Sequence, residues 1–462
     1  MPDLSRLDTI LDPSRVFKDA ANLKEYGRDW TRYSEPNPVA IVFPKSTEEV
    51  VELVKWARHN KIALIPSGGR TGLSGGALAL HGEVVVSFEK MNRILDFDPL
   101  DQTVTVEPGV VTETLQKYAE EKGFIYPVDF ASRGSSHIGG NVATNAGGIK
   151  VLRFGLTRQW VAGLEAVTGE GEVLRLNNSL VKNATGYDLR HLLIGSEGTL
   201  ALITKVTLNL SRPTAPACLF AFAVADLANV MKIYHAFKSE VPVMAFEMFT
   251  EVALGHVLHH HTDLKRPFSD AHPYYVLVEF EQTRDEVLDQ AMQIFESGME
   301  QGWILDGIQA QTPQQARELW RLREDISEAT APYTPYKNDI SVRISRVPEF
   351  LHEMDAILKR EYPHFEVVWF GHIGDGNLHI NILKPKDMSK EAFLQECKRV
   401  DEHMFNMIEK LEGSVSAEHG VGLTKKAYLG HTRSKAEIEL MKQIKRVFDP
   451  AGILNPGKMF DL

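Results

Sequence analysis

Pro66-Ser67-Gly68-Gly69-Arg70-Thr71-Gly72-Leu73-Ser74-Gly75-Gly76 decides how the first half of this chain reads. Before it, Val39 to Phe43 forms a short apolar strand pattern. Ser46-Thr47-Glu48-Glu49 is a capping box, and apolar residues follow at Val50, Leu53, Val54 and Ala57. The spacing predicts a helix ending near Asn60. Ala63 to Pro66 reads as a second strand that runs straight into the glycines, so residues 39–67 make a β-α-β unit. Without Cβ atoms, a loop of this kind brings backbone N–H groups close to phosphate oxygens. It has neither the Gly-Lys-Ser/Thr of a Walker A loop nor the GxGxxG spacing of a Rossmann fold. Taken alone, such a loop is also an ordinary tight turn.

It is not alone. Ser135 to Gly148 (SSHIGGNVATNAGG), Gly195 to Leu200 (GSEGTL) and Asn455-Pro456-Gly457-Lys458 are three more runs of small and amide residues. Four such runs suit a large, elongated ligand that contains a diphosphate. Val84 to Phe88 and Thr103 to Glu107 read as strands, and Val110 to Lys122 as a helix. Leu164 to Val167, Glu172 to Leu174 and Thr199 to Leu210 predict an antiparallel sheet. A new region opens near Arg212. Its helices (227–238, 284–301, 348–360) alternate with strands (218–224, 274–281, 365–370), which predicts an α+β domain with an open antiparallel sheet. Lys435 to Phe448 is a last helix.

In that second region lies Gly371-His372-Ile373-Gly374-Asp375-Gly376-Asn377-Leu378-His379-Ile380-Asn381. Asp-Gly signals a hairpin. A two-residue loop pairs 374 with 377 and 372 with 379, with the two imidazoles roughly 4.5–5.5 Å apart at Cβ. Asn381 then shares their face. Ser416-Ala417-Glu418-His419-Gly420 offers a carboxylate and a third imidazole. Imidazole and carboxylate together are ligands for a divalent metal. A histidine beside a turn is otherwise plain polar surface. His256 and His259 to His261 also cluster, but no acidic residue is spaced in sequence to complete a site, so they read as an exposed helix end.

The bulk numbers fit these readings. A chain of 462 residues has room for two or three domains. Its net charge of −11 argues against a nucleic-acid surface. With only Cys218 and Cys397, no disulfide framework or cysteine zinc site is possible, which suits a reducing, cytoplasmic setting. No window reaches the roughly 18 apolar residues of a transmembrane span. Peripheral membrane contact stays open, as does the mitochondrial matrix for a eukaryotic source.

SGGRTGLSGG, EPG at 107–109, SHIGGNVATNAGG and GSEGTLALIT together resemble flavoproteins of the vanillyl-alcohol oxidase / p-cresol methylhydroxylase fold. HIGDGNLHIN, SAEHGVGLTKK and FDPAGILNPGK narrow the resemblance to the FAD-dependent D-2-hydroxyacid dehydrogenases, over about residues 35 to 460. The resemblance implies an α+β chain in three stretches. Residues 1–211 form a two-subdomain FAD-binding domain, 212–420 a substrate (cap) domain with a large antiparallel sheet, and 421–462 a return to the FAD domain. Pro66, Ser67, Gly68, Gly69, Arg70, Thr71, Gly72, Leu73 and Ser74 would hold the diphosphate and its neighbours. Ile138, Gly139, Gly140, Asn141, Ala143, Thr144, Asn145 and Gly148 would share that work, with Pro108 and Gly109 also on the cofactor. Gly195, Glu197, Gly198 and Ile203 would line adenine and ribose, and Asn455 would approach the flavin. Loop 66–76 holds no histidine, so FAD is expected to be non-covalent.

The same resemblance makes His372, His379 and Glu418 the ligands of a divalent metal, zinc by expectation. His419 becomes the base on the substrate hydroxyl, and Arg323 the partner of a substrate carboxylate. Ser327 follows four residues later on the expected helix face. Lys337 matches a lysine of members that oxidise 2-hydroxyglutarate, which favours that dicarboxylate. Ser327 and Asn338 depart from the threonine and tyrosine expected there, so D-lactate and glycolate stay open. His372, His419 and Asn381 complete the substrate contacts. No nicotinamide fingerprint is visible, so electrons leave to an electron-transfer flavoprotein, a quinone or a cytochrome. A homodimer is compatible. The competing readings are a metal-free FAD oxidase, the ether-lipid synthase of the same fold, and a non-catalytic flavin subunit. The metal triad and Glu418-His419 argue against all three.

Overall fold

Ser46 caps the helix Thr47–Asn60 by accepting the Glu49 N–H at 3.3 Å. The return bond of the box goes elsewhere. The Glu49 carboxylate accepts from the Lys45 N–H and pairs with Arg15 at 2.6 Å, so the arginine draws it one residue upstream. Val50, Leu53, Val54 and Ala57 form the buried stripe, and Lys61, at φ 54°, ends the helix. This computed structural model describes residues 4–31 and 34–462. The chain divides into two compact units, residues 1–148, 155–213 and 418–462 in the first and 149–154 and 214–417 in the second.

In the first unit, strands are numbered in chain order. One sheet has the order β1 (Val16–Phe17), β2 (Ala40–Val42), β4 (Val84–Ser87), β3 (Leu64–Ser67). β2, β4 and β3 are parallel, and β3 delivers the chain into the glycine loop. A second, antiparallel sheet has the order β5 (Ile94–Asp98), β6 (Thr103–Val106), β9 (Ala201–Asn209), β7 (Val161–Thr168), β8 (Val173–Leu176). Thr47 Oγ1 donates to the buried Glu165 Oε1 at 2.7 Å and so ties the helix start to the second sheet. The C-terminal return docks on β3: Leu64 N–H donates to Ile453 O and Asn455 N–H to Leu64 O. Helix Lys435–Phe448, with a full Ser434/Glu437 capping box, leads into that return.

The second unit is one seven-stranded sheet of order β13 (Asp306–Gln309), β10 (Ala217–Val224), β12 (Tyr274–Glu281), β11 (Val243–Thr250), β15 (Val367–Gly371), β16 (Asn377–Ile382), β14 (Tyr336–Ser341). Every pairing in it is antiparallel. Phe220, Phe222 and Phe280 cover one face and pack with Phe237 and Phe295 from helices Leu227–Glu240 and Asp285–Glu300. Phe249, Leu277, Val368 and Phe370 cover the other, against Leu254, Leu319, Leu322 and Ile326. Residues 149–154 join this unit, with Lys150 2.8 Å from Glu279 and Arg153 3.2 Å from Glu281. Cys218 and Cys397 are both free. Among the described residues, no helix is long and apolar enough to cross a membrane.

One buried ion pair fixes the return. Lys445 Nζ lies 2.8 Å from Asp449 Oδ2 and also donates to the Thr199 and Leu454 carbonyls. Asp449 accepts from the Ile453 and Leu454 N–H groups. Lys445→Met leaves that carboxylate buried and uncompensated. It should lower unfolding stability by about 3–5 kcal/mol, read by chemical denaturation.

Candidate active site

The histidine turn is longer than the sequence suggests. Observed pairs are Phe370 with His379, Trp369 with Ile380 and Val368 with Asn381, so residues 372–376 form the loop. The expected pairing of 372 with 379 is therefore wrong by two residues. Gly376 at φ 84° and the Asp375 Oδ1 bond to Asn377 N–H shape the wider turn. A shift of two keeps every side chain on its face. His372 and His379 thus remain neighbours on one face, now diagonally, with rings 5.5 Å apart.

Each histidine has a carboxylate at Nδ1. Glu247 Oε1 on β11 is 2.7 Å from His372 Nδ1, and Asp339 Oδ1 on β14 is 3.6 Å from His379 Nδ1. All four side chains are buried. For His372 the contact is a hydrogen bond, and a carboxylate bonded to Nδ1 directs the imidazole lone pair to Nε2, the arrangement that supports histidine metal ligands; for His379 the carboxylate stands at ion-pair distance. The donor set in this unit therefore fits a divalent ion. The second oxygen of Glu247 lies 2.9 Å from Arg323 Nη2. Arg323 is buried, with its guanidinium 4.8 Å from the Phe370 ring centre, and the Phe370 ring is 4.9 Å from that of His379. Asn381 is buried opposite Lys337, and Asp339 is opposite His379. Register thus places Lys337, Asp339, His379, Asn381 and Phe370 on one sheet face.

Several expectations change. The helix carrying Arg323 (Pro313–Glu324) stops at Asp325, and Ser327 sits on the next helix, Ile326–Thr330, so one continuous face does not join them. Asn338 pairs with Ile380 on the opposite sheet face. Its departure from tyrosine therefore says nothing about a substrate on the Lys337 face. Carboxylates do reach the other histidine cluster: His256 pairs with Glu366, His261 with Asp325 at 3.4 Å and His260 with Glu328 at 3.8 Å. These partners come from distant sequence. Arg321 Nη2, 3.2 Å from His261 Nδ1, makes the group an ion-pair network into which a cation fits poorly. Glu247 and Asp339 went unread in the sequence. Glu247 did carry a signal, as a lone carboxylate inside the otherwise apolar and β-prone run Val243–Thr250, whereas Asp339 sits in the polar run Tyr336–Ser341 and carried none.

Glu418 and His419 belong to the first unit, with His419 Nε2 3.9 Å from Glu418 Oε1. They directly follow Ala417, whose N–H donates to Asp339 O and Oδ2 at 3.3 and 3.2 Å.

Also in the first unit, the glycine runs pack against each other. A Cβ on Gly69 would lie 2.0 Å from Ser135 O, so the loop cannot carry a side chain there. Three of the polar side chains expected to meet a cofactor make hydrogen bonds within the protein. Asn141 donates to Thr112 Oγ1, Asn145 Oδ1 accepts from Arg158 N–H, and Thr144 donates to Gly140 O. Ile203 is buried in the same core cluster as Val104 and Leu208. Arg70 stacks over Tyr26 at 4.3 Å. Asn455 Nδ2 clamps Gly76 O and Glu197 O, leaving Oδ1 buried without a partner among the described residues. Ser67 Oγ and His137 Nδ1 are orphaned likewise, and the space around Gly140 is open. Buried polar atoms left this way call for a polar ligand, and FAD fits.

Glu197, at φ 51°, turns its carboxylate inward. Oε1 accepts from Val421 N–H at 2.7 Å and Oε2 from Gly422 N–H at 2.8 Å. It therefore holds the return segment. Burial pushes its pKa up to about 7, against those two bonds and the Lys458 charge.

A two-sheet unit with glycine loops and a second unit built on a seven-stranded antiparallel sheet suit a flavin-dependent oxidoreductase, and the comparisons agree. The chain matches "FAD binding domain" over residues 38–177 and "FAD linked oxidases, C-terminal domain" over residues 215–459. It belongs to the FAD-linked oxidase family. It is 54% identical over 457 residues to D-2-hydroxyglutarate dehydrogenase of Stutzerimonas stutzeri, covering 99% of this chain and 98% of that one. It is 35% identical to the mitochondrial D-2-hydroxyglutarate dehydrogenase of Arabidopsis thaliana, covering 99% and 81%. Its fold matches 4-ethylphenol oxidase of Gulosibacter chungangensis (TM-score 0.78, 17% identity, 100% and 98% covered) and p-cresol methylhydroxylase (0.77, 16%, 99% and 96%). The fold is thus the vanillyl-alcohol oxidase / p-cresol methylhydroxylase type.

Glu197 has a testable pH signature. Its native pKa lies above the ordinary 4.5, so the folded state holds this proton more tightly than the unfolded chain. Its contribution to stability is full below about 4.5 and is lost as pH rises to about 7. Glu197→Gln should remove that downward component. Denaturation of both proteins across pH 4.5 to 8 checks the difference in slope.

Proposed function

We propose that this enzyme oxidises a D-2-hydroxy acid to the 2-oxo acid with FAD and a divalent metal, and that its substrate is D-2-hydroxyglutarate. The observation that carries this reading is the buried His372–Glu247–Arg323 group beside His379 on one sheet face. It sets two histidines with carboxylate partners next to a buried guanidinium. A 2-hydroxy acid presents the matching hydroxyl and carboxylate. The 54% identity to a D-2-hydroxyglutarate dehydrogenase supports the choice of substrate.

FAD, when bound, would supply the acceptor for the Cα hydride, and a divalent metal, zinc in our reading, would supply the Lewis acid that lowers the pKa of the hydroxyl. His372, His379 and Glu418 would hold the metal. The Pro66–Ser74 loop, the 138–148 run, residues 195–198 and Asn455 would hold FAD. Arg323 pairs with one substrate carboxylate and Lys337 with the second. Asn381 and Ser327 donate further hydrogen bonds. His419 takes the hydroxyl proton, a task for which imidazole is suited near neutral pH. Electrons then pass to a separate acceptor: an electron-transfer flavoprotein, a quinone or a cytochrome.

Anaerobic mixing with D-2-hydroxyglutarate should bleach the flavin absorbance, and prior treatment with a chelator should prevent it. No bleaching at saturating zinc would refute the reading. His419→Ala should slow bleaching by about 10²- to 10⁴-fold while FAD and zinc stay bound. Lys337→Met should lower kcat/KM for D-2-hydroxyglutarate by about 10- to 100-fold and leave D-lactate turnover nearly unchanged. Equal loss on both substrates would remove Lys337 from the second carboxylate.

A further inference from the structure

We infer that Glu247 is a positioning residue that ties the metal-facing histidine to the substrate-facing arginine. The inference rests on the reading above for His372 and Arg323. Glu247 stands on β11, between β12 and β15, and is 1% exposed. Its neighbours along the strand are Phe246 and Met248. A lone carboxylate in such a place is costly unless its charge and lone pairs are used. One oxygen is 2.7 Å from His372 Nδ1 and the other 2.9 Å from Arg323 Nη2.

Both partners need it. Glu247 gives the His372 Nδ1–H its acceptor, so the carboxylate selects the tautomer and holds the ring plane. Arg323 is also buried, and Glu247 supplies its ion pair. The Nη2 contact is at ion-pair distance but out of line for a hydrogen bond, and Nε likewise has no hydrogen bond among the described residues. The guanidinium is thus held in place by charge and by the Phe370 ring 4.8 Å away, with donors left for an incoming carboxylate. Through its two oxygens, Glu247 touches both the turn bearing His372 and the helix bearing Arg323. The carboxylate on β11 thus bridges the two groups. Metal affinity and substrate affinity should therefore both depend on this one side chain.

The test uses the FAD-loaded enzyme with Glu247→Ala and Glu247→Gln. FAD absorbance and circular dichroism confirm folding. Zinc affinity is measured by competition with a fluorescent chelator, and KM and kcat for D-2-hydroxyglutarate at saturating zinc. Glu247→Ala should weaken zinc by about 10- to 100-fold and raise KM at least tenfold, with kcat changing less. Glu247→Gln keeps an oxygen for His372 but not the charge for Arg323. It should restore zinc affinity to within about threefold while KM stays raised. Should only one quantity move in Glu247→Ala, or neither, the bridge is overturned. A KM that falls would show that Glu247 screens Arg323 instead of positioning it, and would also overturn it. A parent enzyme that binds no zinc would overturn the metal reading and the bridge together, whereas a parent that binds zinc with an unaltered Glu247→Ala overturns the bridge alone.

Discussion

Antiparallel pairing across β11, β15, β16 and β14 is the constraint on which the candidate site depends. Directly paired residues share a face, and side chains repeat every second residue. Phe249 pairs with Phe370, Phe370 with His379, and His379 with Asp339. Once those pairs form, Glu247, Asn381 and Lys337 have no choice of side. Slippage by one residue on any of these strands would turn its polar side chains into the opposite packing layer, which is aromatic beneath the neighbouring strands. The apolar packing of both faces therefore holds the polar site in register.

Burial then dictates the chemistry of that face. Charges placed there must find partners, and they find each other: Glu247 with His372 and Arg323, Asp339 with Asn377 and His379. The same economy operates in the first unit. Lys445 bonds the Thr199 and Leu454 carbonyls, Asp449 bonds the Ile453 and Leu454 N–H groups, and Glu197 bonds two N–H groups just after Glu418-His419. Positioning in both units is thus done by buried side chains whose hydrogen bonds go to backbone or to other functional groups. Side chains at such positions tolerate little change in length or charge.

Some elements could be read directly. The β-α-β unit, the helix 435–448 and the alternation of helices and strands after residue 212 follow from local periodicity and capping, and all are present. His372, His379 and Asn381 share a face as period-two alternation requires. The two-residue turn failed because Asp-Gly fixes only local preference, and the pairing of β15 with β16 chose a five-residue loop. The single helix face for Arg323 and Ser327 failed at Asp325 for a related reason. Spacing rules assume a continuous helix, and this one is cut there.

Sequence by itself determined the family, the flavin-type glycine runs, the histidine turn and the candidate base, because each is carried by contiguous residues with short-range geometric needs. Only the tertiary structure decided which carboxylates serve those groups. Glu247 is 76 residues from Arg323 and 125 from His372, and Glu197 is 224 from Val421. Electrostatic pairing in a buried site depends on distance in space, and no local pattern encodes contacts across such separations.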